Sequence, residues 1–463
     1  MGILQSILGN LPEVASPTQK KLSFKEKLKW TSIILILFFG MGLVPLFGLG
    51  QNALAQFEYL SIILGASFGS VISLGIGPMV TSSIVLQLLN GSGMVKFDLT
   101  SPDGRKKFQG IQKLLSVFFI IFESSIYVFM GGLAPAQELI GTALYFQMEL
   151  LLIFQLFLGG MLIMFMDEVV SKWGFGSGIS LFIAAGVSQQ IFVTGLSPLP
   201  SPANPGIATG AIPAFFQSLA AGDPTTAAIM FFTVFFTIVV FCMAVYAQAM
   251  KIEIPLSFGR VRGHGIRWPL NFMYTSNIPV ILVAALLANI QLWARLLQNW
   301  NWPILGTYVG NTPATGIVAW VSYPEIVRKI ITGSFVTTDI LQTLAYILIM
   351  MGGSLLFSWF WVQTSGMDAR SQAKNIMASG LQIPGFRKDP RVLERVLDRY
   401  IKPLTVMGGL CVGLLAAVAD VTGALSRGTG ILLAVMIIYK LYEEIAKQHM
   451  MDMNPMMRKF IQT

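Results

Sequence analysis

The sequence predicts an all-α, polytopic membrane protein of ten transmembrane helices, and three observations carry that prediction. The 463 residues are 54% apolar and only 11% charged, with a mean hydropathy of +0.69, above what a water-soluble domain keeps in solution. The apolar residues fall in runs long enough to cross a bilayer, each crossing taking roughly 20 residues for about 30 Å of hydrocarbon. The basic residues sit in clusters separated by intervals that each hold two such runs.

Those intervals set the topology. No Lys or Arg lies between Lys29 and Lys96, between Lys113 and Lys172, or between Lys172 and Lys251. The regions 268 to 369 and 403 to 439 are also bounded by basic clusters and are interrupted only by Arg295, Arg328, Lys329 and Arg427. With every cluster cytoplasmic, the chain makes five out-and-back hairpins with both termini inside. All but those four of the 31 basic residues then lie on the cytoplasmic side, as the positive-inside rule requires. A shift of one span would invert the bias. The net charge of +9 therefore follows from topology and does not by itself point to nucleic acid.

Taken in order, residues 1 to 29 form a cytoplasmic amphipathic segment. It has no short apolar run ending in a small-residue cleavage site, which predicts no cleavable signal peptide. Ser23-Phe24-Lys25-Glu26 fits a helix-capping box, and Phe24, Leu28 and Trp30 give the following helix an apolar side suited to the membrane interface. An N-terminal half, 30 to 194, holds spans at 30–50, 73–91, 112–132, 142–166 and 177–194. An external loop, 195 to 225, leads to a C-terminal half, 226 to 447, with spans at 226–249, 272–295, 337–362, 403–422 and 429–447. A cytoplasmic tail, 448 to 463, follows.

Two features interrupt this regularity. The stretch from 56 to 70, QFEYLSIILGASFGS, is too short to cross and is broken by Gly65 and Gly69. It reads either as a half-helix dipping back from outside or as a surface loop. The first reading requires a protein-lined or water-filled surrounding, since irregular backbone is not tolerated against lipid. The two long cytoplasmic loops, 250 to 271 and 364 to 402, carry four basic residues against one acidic and eight against four. In the second, Arg387, Arg391, Arg395 and Arg399 recur every four residues beside Val392, Leu393, Val396 and Leu397, a short amphipathic helix. Its basic ridge suits RNA phosphates, anionic lipid or a solvated cytoplasmic surface.

The expected chemistry is sparse. There is no P-loop, nicotinamide fingerprint or HExxH, and His264 and His449 lie in cytoplasmic segments. Cys242 and Cys411 are far apart in apolar runs and read as buried, inert thiols. No catalytic residue, metal site or cofactor is expected, and the chain does not read as an enzyme. Ionisable residues within the spans reduce to Glu123, with Asp420 and Arg295 near span ends. That is little for an ion-coupled secondary transporter of a small solute, the alternative reading. The segments LGIGPMVTSSIVLQLL (74 to 89) and SNIPVILVAALLANIQLW (276 to 293) offer aliphatic and small residues. They suit either ordinary helix packing or a passage that binds no particular solute and excludes ions by dewetting.

Several long segments in order carry a resemblance: FKEKLKW (24 to 30), LGIGPMVTSSI (74 to 84), DEVVSKWGFGSGISLFIAAGVSQ (167 to 189), EIPLSFGR (253 to 260), SNIPVIL (276 to 282) and RYIKPLTVMGG (399 to 409). Nearly end to end, the chain resembles the SecY family in its archaeal form, the pore-forming large subunit of the Sec protein translocase. The resemblance implies a clamshell of two pseudo-symmetric five-helix halves around an hourglass pore. It places a pore ring on Ile76, Val80, Ile179, Ile183, Ile281 and Leu433. The segment near 56 to 69 resembles the family's plug, with Phe57, Glu58, Tyr59, Leu60, Ile62, Ile63 and Leu64, and Glu58 there is acceptable beside water. A lateral gate would hold a polar cluster of Thr81, Glu123 and Asn289. Ribosome docking would fall on Arg260, Arg262, Arg387 and Lys388.

The function so implied is passive translocation of unfolded secretory polypeptides across the cell membrane, with transmembrane segments released sideways into membrane lipid. The implied partners are small membrane subunits of the SecE and SecG/Sec-beta types, the ribosome and signal-sequence-bearing nascent polypeptides. The stretch around His264 and the Pro-rich external stretch from Ser197 to Pro213 match no family motif.

Overall fold

The computed structural model describes residues 12–18, 22–52, 67–91, 94–95, 97, 102–200, 206–258, 265–275, 278–309, 312–378, 381–382, 390–425 and 428–453. A helix overlaps each of the ten predicted spans. In the N-terminal half these are α1 (Phe24–Gly42), α2 (Gly77–Gly91), α3 (Pro102–Phe129), α4 (Ala143–Trp173) and α5 (Gly178–Leu196). A short helix, α6 (Ala211–Ala221), precedes the C-terminal half. That half holds α7 (Pro224–Ala249), α8 (Ile278–Asn299), short helices α9 (Gly316–Val321) and α10 (Ile326–Ile331), then α11 (Thr337–Thr364), α12 (Ala369–Ala378), α13 (Pro390–Val421) and α14 (Gly428–Met453). Among the described residues, seven helical stretches are long and apolar enough to cross a membrane. The spans outside that set are α1 and α14, each charged at its cytoplasmic end by the topology above, and α2, only 15 residues long.

The start of α1 follows from its sequence: Ser23 and Glu26 form the reciprocal capping box, which satisfies two otherwise unpaired backbone donors. No break separates the charged segment from the first span. The helix also ends eight residues before the predicted limit, at Gly42, because Val44 precedes Pro45 and such a residue is pushed out of the helical region. The chain then turns, and strand β1 (Leu49–Asn52) pairs antiparallel with β2 (Leu133–Pro135).

Residues 71–76 form turns rather than helix, so α2 starts at Gly77. Close packing fixes this segment: a Cβ on Gly159 of α4 would lie 1.8 Å from the Val71 carbonyl oxygen, so only glycine lets α4 approach so near. The plug residues Phe57, Glu58, Tyr59, Leu60, Ile62, Ile63 and Leu64 lie outside the described residues.

The external stretch from 195 to 225 contains α6, which packs on α7 with Phe215 and Phe231 rings 6.1 Å apart. Between α8 and α11 the expected single turn is instead a built cap. A hairpin of β5 (Tyr308–Val309) and β6 (Thr312–Pro313) precedes α9 and α10, and the Tyr308 hydroxyl donates to the Gln291 carbonyl of α8.

Strands also join the two cytoplasmic loops. β3 (Lys251–Phe258) pairs with β4 (Gly265–Asn271), and its far end pairs with β7 (Leu381–Gln382) of the second loop, Phe258 opposite Leu381. The predicted short basic helix is not separate: α13 runs unbroken from Pro390 through Pro403 to Val421. Its first turns keep the predicted faces, with Leu393 and Leu397 buried and Arg391, Arg395 and Arg399 exposed. Cys242, expected to be buried, lies exposed on the outer face of α7.

The halves meet where α5 packs on α14 and where α2 packs on α8 and α11. One apolar cluster extends through both, with buried residues from α1, α2, α4, α5, α7, α8, α11, α13 and α14.

Candidate functional site

The aliphatic residues singled out by the resemblance converge. Ile76, Val80, Ile183, Ile281 and Leu433 are all buried in that central cluster, and the half-buried Ile179 packs against it. They come from α5, α8 and α14, and from α2 with its lead-in turn. Ile76 sits one residue before α2, where Gly75 takes a φ of +55° and the Ile76 carbonyl accepts the Val80 N–H at 3.0 Å. Branched aliphatic side chains carry no group that holds water or an ion, so any constriction they form would be dry.

A cavity of about 600 Å³ reaches these residues, with Val80, Ile179 and Ile281 in its lining. Its mouth is formed by the C-terminal ends of α2 and α11, the N-terminal ends of α3, α5 and α8, and the middle of α14. These are the ends that adjoin the basic clusters. The mouth is polar, with Gln109, Gln112, Lys440 and Glu444. Sequence reasoning missed this lining; a weak signal was Gln109 and Gln112, three residues apart and so on one helix face.

The three polar residues assigned to one cluster are also together. Asn289 Nδ2 of α8 donates to Thr81 Oγ1 of α2 at 3.2 Å, and Thr81 Oγ1 is 3.1 Å from Glu123 Oε1 of α3. Glu123 is only 5% exposed, and its Oε2 has no hydrogen-bond partner. Ser82 and Ser116 add a second α2–α3 link at 2.7 Å. A carboxyl held this way joins three helices. Elsewhere in the spans, Asp420 accepts from the Tyr346 hydroxyl at 2.7 Å, and Arg295 lies over the Tyr308 ring. Among the described residues no cluster of three or more His, Cys, Asp or Glu side chains is placed to hold a metal.

The docking residues Arg260, Arg262, Arg387 and Lys388 lie outside the described residues. The strands that flank their segments share one sheet end, set by the Phe258–Leu381 pairing.

The N-terminal segment forms a contact that sequence reasoning did not anticipate. Residues 12–15 lie across α3 and α4: Val14 N–H donates to Glu168, Lys172 bonds Glu13 and the Val14 carbonyl, and Trp173 Nε1 donates to the Ala15 carbonyl at 2.9 Å. Lys113 of α3 pairs with the same Glu168.

Comparison with known proteins gives one answer. The family model described as SecY matches residues 70–442. A protein translocase subunit SecY from Methanothermobacter thermautotrophicus is 44% identical, over 97% of this chain and 96% of its own. A solved structure of a protein conducting channel matches with a TM-score of 0.83 at 42% identity, covering 97% of this chain and 98% of that one. Sec61 in a canine ribosome-channel complex from the endoplasmic reticulum matches with a TM-score of 0.80, also at 42% identity, with 97% of each chain covered. The ten helices thus take the clamshell arrangement of two five-helix halves. With sequence and fold in agreement, the chain belongs to the SecY family.

Proposed function

We propose that this chain is the protein-conducting channel of a translocase, a multi-pass protein of the cell membrane that passes unfolded secretory polypeptides across it and releases apolar segments sideways into lipid. The observation that carries this reading is the meeting of aliphatic side chains from both halves at a cavity with a polar mouth. Ile76, Val80, Ile179, Ile183, Ile281 and Leu433 act as a ring that excludes ions when idle and yields to side chains of varied size when threaded. It is a channel and not an enzyme.

The remaining roles follow the same logic. The segment carrying Phe57 to Leu64 acts as the plug. The contact of α2 with α8 acts as the lateral exit, and Thr81, Glu123 and Asn289 hold it closed until an apolar segment offers a competing surface. The positive-inside bias supports cytoplasmic termini and a cytoplasmic cavity mouth. The relative in the canine complex is ribosome-associated. A translating ribosome is the matching source of push here, docking on Arg260, Arg262, Arg387 and Lys388, whose segments leave one end of one sheet. Small subunits of the SecE and SecG/Sec-beta types complete the channel. The ion-coupled transporter reading loses its main support, because Glu123 is engaged between helices as a structural link.

The test places a photocrosslinker in turn at Ile76, Ile183 and Ile281 in the chain reconstituted with its small subunits and with ribosomes carrying a stalled secretory chain. Crosslinks to the nascent chain at all three, lost when its signal sequence is deleted, are expected. Ribosome binding without crosslinks would overturn the channel assignment.

A further inference from the structure

From Trp173 to Gly222 the chain carries no charged side chain. This run ends in α6, which the spacing of basic residues assigns to an external loop. The helix has two unlike faces. Ala211, Ala214 and Ser218 are buried, and α6 packs on α5 and α7, with side chains small enough to let helices approach closely in a membrane. Ile212, Phe216 and Leu219 recur at i, i+4 and i+7 and so share another face. All three are exposed.

The pairing of α6 with α7 sets its depth. Gly222 takes a φ of +74°, and Asp223 caps α7 by accepting the Thr225 and Thr226 N–H groups at 3.1 and 3.2 Å, so the two helices form a tight antiparallel hairpin. Phe231, which meets Phe215, is seven residues into α7, about 10 Å from its outer end. Among the described residues α7 is the most apolar of the stretches long enough to cross a membrane. The helix α6 therefore lies beside a span and not beyond it. Its 11 residues measure about 16 Å, close to half of the roughly 30 Å of hydrocarbon. Backbone at such depth needs partners, and the entry to α6 supplies them. The buried Gly210 donates to the Ser197 carbonyl at 2.9 Å, Ala208 N–H donates to Gln217 Oε1 at 2.7 Å, and Pro213 has no N–H to satisfy.

We infer that α6 is an interfacial helix of the leaflet remote from the basic clusters, with Ile212, Phe216 and Leu219 set among its acyl chains. The contact with α7 takes the place of the charged face that such helices usually turn to water. A protein partner matches less well, since a specific interface takes about 20–30 residues a side with hydrogen bonds among them, and this stripe is three apolar side chains. Held in this way, the connection between the halves travels with α7 and is not a free external loop.

The test uses the chain with its small subunits in liposomes, carrying Cys242→Ser and Cys411→Ser, with a nitroxide attached in turn at Ile212→Cys, Phe216→Cys and Leu219→Cys. Collision with oxygen, which concentrates among acyl chains, is compared with collision with a water-soluble nickel chelate. Leu158→Cys, exposed in the middle of α4, is the lipid reference, and Arg395→Cys, exposed on α13, is the water reference. All three positions are expected to favour oxygen as Leu158 does, severalfold more than Arg395. Nickel collision at the level of Arg395 would show a helix in water and overturn the inference. Weak collision with both reagents would show a face covered by protein and overturn it equally. Neither result bears on the crosslinks that test the channel reading. The three labels report separately, so a variant lost to misfolding leaves the others to decide.

Discussion

The Asp167 carboxylate, near the end of α4, accepts the backbone N–H of Ile179 at 3.0 Å. Ser177 occupies the N-cap position of α5 but makes no side-chain cap bond, so a residue of the preceding helix caps α5 in its place. Gly178 makes the approach possible, since a Cβ there would lie 2.6 Å from Asp167 Cα. The first turn of α5 is thereby locked to α4, and that turn carries Ile179, with Ile183 one turn further on.

Asp167→Ala is expected to loosen the ring. Loss of a cap costs about 1 kcal/mol, and the helix end it frees belongs to the constriction. In planar bilayers the idle Ala variant should conduct ions, while Asp167→Asn, which caps as well as aspartate, should stay tight. An Ala variant as ion-tight as the unsubstituted chain would show that Asp167 does not position the ring.

The α2–α8 contact gives a graded prediction. Asn289→Ala removes the bond to Thr81 and leaves a gap, and interhelical hydrogen bonds in membranes average about 0.6 kcal/mol. The open fraction of the gate, read from a fluorescence pair across α2 and α8, should rise roughly threefold. Asn289→Leu fills the gap with apolar contact and should bring the gate back towards closed. Closure by Ala as strong as by Leu would contradict a hydrogen-bonded latch.

The ten spans were legible because each answers to a local rule: an apolar run of bilayer length between basic clusters. Glu123 stood out as an ionisable residue within a span and Ile76 and Thr81 were found through a family motif, but their physical roles needed distant partners that spacing does not name. The β3–β7 pairing joins residues more than 120 positions apart, so only the alternation in Lys251-Ile252-Glu253-Ile254 hinted at a strand. The continuity of α13 through Pro403 was hidden because proline ordinarily ends a helix. Cys242 read as buried because an apolar run does not say which of its faces meets lipid.

The strap across α3 and α4 should release in acid. The hydrogen bond and charge of Lys172 hold the Glu13 carboxyl below the ordinary glutamate range. A depressed carboxylate contributes binding that is full above its unbound value and is lost as pH falls through the lowered one. The separation of residues 12–15 from α4, read from a fluorescence pair, should therefore stay short at neutral pH and lengthen as pH falls below the ordinary carboxylate range. Glu13→Gln should give the longer separation at neutral pH, and high salt should act in the same direction because Glu13 is exposed. A separation that ignores both pH and the substitution would mean that backbone contacts alone hold the strap.

The close packing of α13 on α11 predicts an order of stability losses. On α13, a Cβ at Gly413 would lie 2.7 Å from the Met350 carbonyl oxygen, and one at Gly409 would lie 2.6 Å from Ser358 Oγ of α11. The four-residue spacing of Gly409 and Gly413 faces Ser354 and Ser358, both fully buried, which is the small-residue packing that lets helix backbones approach in a membrane. At Gly413 the obstacle is backbone, which cannot rotate away, whereas at Gly409 it is a hydroxyl that can. Gly413→Ala should therefore destabilise the solubilised chain by about 1–3 kcal/mol, and Gly409→Ala by less. Thermal unfolding of the two variants side by side checks the order. Equal losses would mean that α11 and α13 shift apart as rigid bodies instead of yielding at single side chains.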